Sequence, residues 1–159
     1  MIRAALLSDL NSLVEIASKI REQMKSVNLK QWLGNYPNYE DFHKDFQLQG
    51  LFVYELNEII VGSISILPEN DPPYREINWD SSEAVVIHRI MVDPSFQRIG
   101  IASKLFRFAI NYGREKEYVS LKIDTHPDNQ KMQNLICKFN FKYKGYIKSI
   151  NRLAYEFML

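Results

Sequence analysis

Residues 84–102 read Ala84-Val85-Val86-Ile87-His88-Arg89-Ile90-Met91-Val92-Asp93-Pro94-Ser95-Phe96-Gln97-Arg98-Ile99-Gly100-Ile101-Ala102. Apart from His88 and Arg89, Ala84 to Val92 is an apolar, largely β-branched run, the pattern of a mostly buried strand. Asp93-Pro94 stops it, because proline has no N–H for a ladder and disfavours helix in the residue before it. From Ile101 onward, Leu105, Phe108, Ala109 and Tyr112 fall on one helical face. The stretch is therefore strand, turn, helix, with Gly100 at the last junction. The first N–H groups of a helix have no partner and carry about half a positive charge, a ready site for phosphate. Gly100 lacks a β-carbon, so an anion can approach the main chain closely. Arg98 and Lys104 add charge.

A glycine before a helix is also an ordinary turn, so this pattern alone is weak. No Gly-x-x-x-x-Gly-Lys-Ser/Thr and no Gly-x-Gly-x-x-Gly occurs in the chain, which sets aside P-loop and dinucleotide fingerprints.

Outward from that core, Leu10, Leu13, Val14, Ala17, Ile20 and Met24 predict a helix over 9–26, and a shorter one is expected over 38–48. Between them, 27–37 is an aromatic-rich loop. Strands are expected at 51–56 and 59–67, joined as a hairpin across Asn57-Glu58. Residues 68–82, with Pro72-Pro73, form a long loop, which in a compact domain is often functional. Downstream, 119–124 reads as a strand, and Asp128 opens a helix that ends at Asn140. Strands at 141–147 and 152–158 close the chain. The resulting order, β-α-α-β-β-β-α-β-α-β-β, is a single α/β domain over residues 1–159, built on a mixed sheet.

The length of 159 residues, with 46% hydrophobic and 25% charged residues, fits one globular domain and excludes a disordered chain. No apolar stretch approaches a membrane span and no signal peptide is apparent. The single cysteine, Cys137, precludes an internal disulfide, and a cytoplasmic location is expected. One cysteine and three scattered histidines offer no metal site, so none is expected. Residues 1–95 hold 8 Lys and Arg against 14 Asp and Glu, whereas residues 96–159 hold 12 against 5. The basic part suits an anionic ligand and the acidic part a cationic one. The dispersed basic residues and near-zero net charge argue against nucleic acid.

Gln97-x-x-Gly100-x-Ala102 after a strand and before a helix resembles the signature of the GCN5-related N-acetyltransferases, the GNAT superfamily. Val92-Asp93-Pro94 is a familiar spelling there too. Asn129, Leu135, Lys138 and Phe141 match a second family pattern on the fourth helix, with Asn140 where glycine is usual. The specific motifs lie within residues 84–142. The resemblance implies a sheet in which strand 84–92 splays from strand 119–124, with acetyl-CoA as co-substrate in the gap. Its pyrophosphate would meet the amides of Arg98, Ile99, Gly100, Ile101, Ala102 and Ser103, with Gln97 beside them. Its pantetheine would meet the main chain of Ile90, Met91 and Val92, and Asn129 would contact the cofactor near the pantetheine or the sulfur. The family often has a tyrosine where this chain has Ile136, and isoleucine cannot protonate a departing thiolate.

The implied reaction is acetyl transfer from acetyl-CoA to a primary amine, small or peptide-borne, by direct attack in a ternary complex. A non-catalytic acyl-CoA sensor on the same fold is the alternative, and a module that binds no cofactor is a third reading. Candidates for the catalytic base are His88, Asp124 and Glu83, with His126 near the acceptor. Trp32, Tyr36 and Trp79, with Tyr39 and Tyr74, are aromatic candidates for the acceptor pocket. Each of these side chains also has a plain structural role open to it. The sequence leaves monomer or homodimer open.

Overall fold

Asn57 and Glu58 both take positive φ, 50° and 64°, the conformation a two-residue hairpin needs to match strand twist. They join β2 (Leu51–Leu56) to β3 (Ile59–Pro68) in the computed structural model, which describes residues 1–159. The remaining strands are β1 (Ile2–Ala4), β4 (Ala84–Val92), β5 (Ser120–Thr125), β6 (Lys142–Ile147) and β7 (Arg152–Met158). The helices are α1 (Leu10–Ser26), α2 (Tyr39–Gln47), α3 (Ile101–Glu115) and α4 (Gln130–Lys138). The element order is the expected one, and boundaries move by only one or two residues. Asn140 does end the α4 region in the left-handed conformation, at φ 63°.

The seven strands form one sheet in the order β1-β2-β3-β4-β5-β7-β6. All neighbours run antiparallel except β4 and β5. The helices α3 and α4 bury Val85, Ile87, Leu121 and Ile123 on one face. On the other, α1 and α2 cover Leu51, Val53 and Met91. Beside them the 72–79 segment seats Tyr74 and Trp79 on Val86, Ile147 and Ala154. No helix is long and apolar enough to cross a membrane.

Two irregularities in β4 shape the functional region. First, Arg89 sits at φ 47°, and the pairing with β3 slips between His88–Ser65 and Met91–Ser63. Two β4 residues there oppose one on β3, which is a β-bulge. Because strand side chains alternate faces, the bulge inverts the phase. Val85 and Ile87 face α3 before it, and Ile90 and Val92 do so after it, while Met91 turns to α1. Second, β4 pairs with β5 only from Ala84–Ser120 to Val86–Lys122. Beyond Val86 the two parallel strands separate, leaving six residues of β4 and three of β5 with a gap between them.

Candidate active site

The gap opens into a groove of about 760 Å³. Ile90, Met91 and Val92 of β4 form its floor, the turn and first residues of α3 one end, Asn129, Met132 and Leu135 another side, and Ile20 and Met24 of α1 the roof. The helix α1 is fastened across it by Lys19 on Asp93 at 2.7 Å and by the paired side-chain amides of Gln23 and Gln97.

At the α3 end, none of the backbone N–H groups of residues 98–103 donates to a protein atom. Arg98 at φ 67° and Gly100 at φ 87° are both left-handed, and turns of this kind form anion-binding concavities. A β-carbon at Gly100 would touch no atom within 4 Å, so the space above it is open. Around this cradle stand Arg98, Lys131 and Lys138, and none of them is in a salt bridge, whereas Lys104 turns to the Tyr54 hydroxyl. Burial and the neighbouring Arg98 hold the Lys131 ammonium below the usual lysine range. Free amides and unpaired cations are the donor set that a diphosphate requires. Of the expected cofactor residues, all line the groove except Ile99, whose side chain is exposed. Asn129 spends its Oδ1 capping α4, accepting from the Met132 N–H at 3.0 Å, and its Nδ2 donates to Gln31 Oε1.

A second pocket of about 70 Å³ abuts the groove. Ile20, Met24, Ile90, Asn129 and Met132 line both, so this is where the two spaces meet. The smaller pocket adds Gln31, Trp32, Ile87, Arg89, Ile123 and Asp124. Asp124 is the carboxylate on its wall. The wholly buried Tyr74 donates its hydroxyl to Asp124 Oδ2 at 2.6 Å, and Arg152 Nε lies 3.7 Å from Oδ1. Burial raises the Asp124 pKa above the ordinary carboxylate value, partly offset by Tyr74 and Arg152. A raised carboxyl in a cleft is closer to the range useful for proton transfer.

Other expected residues lie elsewhere. Glu83 is exposed at the zipped end of β4, and its carbonyl accepts from Val119. It is therefore far along the strand from the gap. His88 lines neither pocket; it lies on the α1/α2 face, with Nε2 3.4 Å from the half-exposed Asp71. Burial, then the Arg89 charge, pushes its pKa down to about 4. His126 is buried, its Nδ1 accepting the Asp128 N–H at 3.0 Å and its Nε2 facing Asn151 at 3.3 Å. Trp79 donates to the Tyr74 carbonyl at 2.7 Å and packs on that ring, with Lys122 over its own face. It holds the 72–79 segment on the sheet. Trp32 does line the small pocket, and Tyr36 stands edge-on behind it, accepting from Arg89.

His88→Asn should accordingly leave turnover within about twofold while changing acid stability. The folded-state pKa of about 4 lies below the unfolded value of ~6.5, so the unfolded chain binds the proton more tightly. This group's contribution is present above pH 6.5 and lost as pH falls towards 4, about 3 kcal/mol in all. Denaturant unfolding at a series of pH values should show that decline in the parent and not in the variant. A large fall in turnover would instead return His88 to the reaction.

Sequence reasoning missed Arg89 and Gln31. Arg89 places Nε and Nη2 on the buried Asp45, which also accepts from Ser65. Gln31 Oε1 accepts from Asn129 Nδ2 at 2.7 Å and Thr125 Oγ1 at 3.3 Å, while its carbonyl accepts from Arg152. It thereby ties the α1–α2 loop to the start of α4. Nothing local in Lys30-Gln31-Trp32 marks that role.

Comparison with known proteins agrees with this geometry. Human N-acetyltransferase 8 is 29% identical over 94 residues, a stretch covering 59% of this chain and 39% of that protein. This chain thus matches well under half the length of that relative. A GNAT-family acetyltransferase from Streptococcus agalactiae 2603 superposes with TM-score 0.89 at 21% identity, covering 100% of this chain and 95% of its own. The PaiA N-acetyltransferase of Thermoplasma acidophilum, solved in complex with coenzyme A, gives 0.80 at 14% identity, with 100% and 98% covered. A profile of the Acetyltransferase (GNAT) family matches residues 14–141, most of the chain. With the unzipped strands, the open amide cradle and this match, the chain belongs to the Acetyltransferase (GNAT) family.

Proposed function

We propose that the protein transfers an acetyl group from acetyl-CoA to the nitrogen of a primary amine by direct attack in a ternary complex. The observation that carries this reading is the meeting of two spaces. One ends in six unpaired amides ringed by cations, and the other holds Asp124. When bound, acetyl-CoA supplies an acyl carbon already activated as a thioester.

The amides of 98–103, with Arg98, Lys131 and Lys138, hold the phosphates. The β4 segment 90–92, unzipped from β5, offers main chain to the pantetheine. Ile20, Met24, Ile90 and Met132 exclude water at the junction. Holding both reactants in line supplies most of the gain, since well-oriented reactions reach effective molarities of ~10⁵ M or more. An alkylamine with a pKa of ~10.4 is only about one part in 2500 neutral at pH 7. Asp124 takes the ammonium proton, freeing the nitrogen lone pair for the acyl carbon. A C–N bond forms and the C–S bond breaks. The second proton lost by nitrogen passes through water, and sulfur leaves as thiolate or thiol, which a thiol pKa of ~8.5 permits.

One observation favours the sensor reading. Ile136 is wholly buried on the inner face of α4 and brings no proton donor to the groove. Two measurements decide between them. Acetyl-CoA at 100 times its Kd should stabilise the protein by about 2.7 kcal/mol, seen as a rise in Tm. Amine-dependent release of free thiol should accompany it. A Tm rise with no thiol release from any amine would make the protein a sensor; no Tm rise would remove both readings.

A further inference from the structure

We propose that the acceptor is a primary amine on an unbranched carbon, the end of a linear alkyl chain such as a lysine side chain, rather than the α-amine of a peptide or amino acid. This rests on the acetyltransferase reading above and narrows it.

The first ground is volume. An apolar protein cavity of about 150 Å³ takes one benzene, six heavy atoms. The pocket beside Asp124 has about 70 Å³, so by the same scale it takes about three heavy atoms. A nitrogen and two chain carbons fill it. An α-amine on any residue but glycine brings a carbonyl and a side chain on the carbon next to nitrogen, and these do not fit.

The second ground is the rigidity of the walls. Ile87 and Ile123 are 2% exposed and belong to the sheet core. Trp32 is backed edge-on by Tyr36, whose hydroxyl accepts from Arg89 at 2.9 Å. The adaptable residues, Met24 and Met132, stand where the pocket joins the groove, on the acyl side.

Charge supplies the third ground. An α-carboxylate needs an uncompensated cation, and neither nearby arginine is one. Arg89 is bidentate on Asp45 and also holds Tyr36. Arg152 is spent on the carbonyls of Gln31, Ile150 and Asn151. The one group left to meet an entering ammonium is Asp124, and the apolar wall suits methylenes behind it.

The test compares propan-1-amine with propan-2-amine, which share composition and differ only in branching. An Nα-blocked peptide containing lysine and a lysine-free peptide with a free N-terminal alanine repeat the comparison on larger acceptors. Thiol release is read with the full chain and saturating acetyl-CoA. The linear member of each pair should have kcat/KM about 10- to 200-fold higher, the range one misplaced carbon commands in a fitted pocket. Trp32→Ala, which removes a loop-borne wall, should shrink that ratio by about tenfold through faster reaction of the branched amine. The Tm rise with acetyl-CoA should be unaltered. If the variant does not fold, Ile123→Val enlarges the same pocket by one methyl and should move the ratio the same way. Equal or inverted preference in the parent, with the acetyl-CoA Tm rise intact, overturns this inference alone. Loss of the Tm rise, or no turnover of any amine, overturns the acetyltransferase reading and this inference with it.

Discussion

Gly100→Glu is expected to abolish the rise in melting temperature produced by acetyl-CoA while the protein still folds. Folding survives because a side chain at this position meets open space, with no atom within 4 Å of its β-carbon. The cost is conformational. Gly100 has φ 87°, and an L-residue held left-handed is strained by about 1–2 kcal/mol. For a chain of this size each kcal/mol moves Tm by about 2–4 °C, so the ligand-free variant should melt roughly 2–8 °C lower. The binding loss has a separate origin. The new carboxylate stands among six N–H groups without protein partners, where it is itself the stabilised anion, and the diphosphate must displace or repel it. Gly100→Ala shares the strain without the charge and should keep part of the response. Differential scanning fluorimetry with and without acetyl-CoA separates the two effects. An undiminished shift in the glutamate variant would mean that the phosphates do not sit at this turn.

Asp124→Asn should lower kcat/KM for amine acetylation by about 10²- to 10⁴-fold, the usual worth of a positioned acid–base group. The acetyl-CoA Tm shift should be unaffected, because the cradle lies at the other end of the groove. Asparagine keeps a carbonyl oxygen for the Tyr74 hydroxyl, so the geometry survives and the proton acceptor is lost. The rise of kcat/KM with pH through the Asp124 titration should disappear. Stability should change in a defined direction too. Burial raises this carboxyl's pKa in the folded state, so the folded protein holds the proton more tightly than the unfolded chain. The contribution is present below the unfolded value of ~3.9 and is lost as pH rises through the raised folded value. The parent should therefore lose stability over that interval and the variant should not. Urea unfolding across the same pH range measures it, and turnover within twofold of the parent would remove Asp124 from the reaction.

Much of the fold was legible because its causes are local. The apolar spacing from Leu10 to Met24 and from Ile101 to Tyr112 specifies the two helices observed, although the buried face of α3 is turned towards Phe106 and Ile110, leaving Phe108 and Tyr112 at its edge. Asn57-Glu58, Asp93-Pro94 and Asn140 each act through their own backbone preferences, and each ends or turns an element where it should. The open amides at this turn were legible for the same reason, since a glycine before a helix exposes amides whatever surrounds it.

The pocket beside Asp124 was not legible in this way. Glu83, His88, His126 and Trp79 are chemically apt, but which face each occupies depends on the bulge at Arg89 and on where β4 and β5 part company. Neither feature has a glycine or proline to announce it. Gln31 and Arg152 meet across 121 residues, and Asn129 reaches back 98 to the same loop.

The chain alone therefore settled the order of its elements, the turn at Gly100 and the family to which these belong, because propensity, periodicity and main-chain geometry act over a few neighbouring residues. Packing alone separated Asp124 from the histidines, because what a titratable group can do is set by what surrounds it. Desolvation raises that carboxyl at the junction of two pockets, and the same force leaves His88 neutral and out of reach.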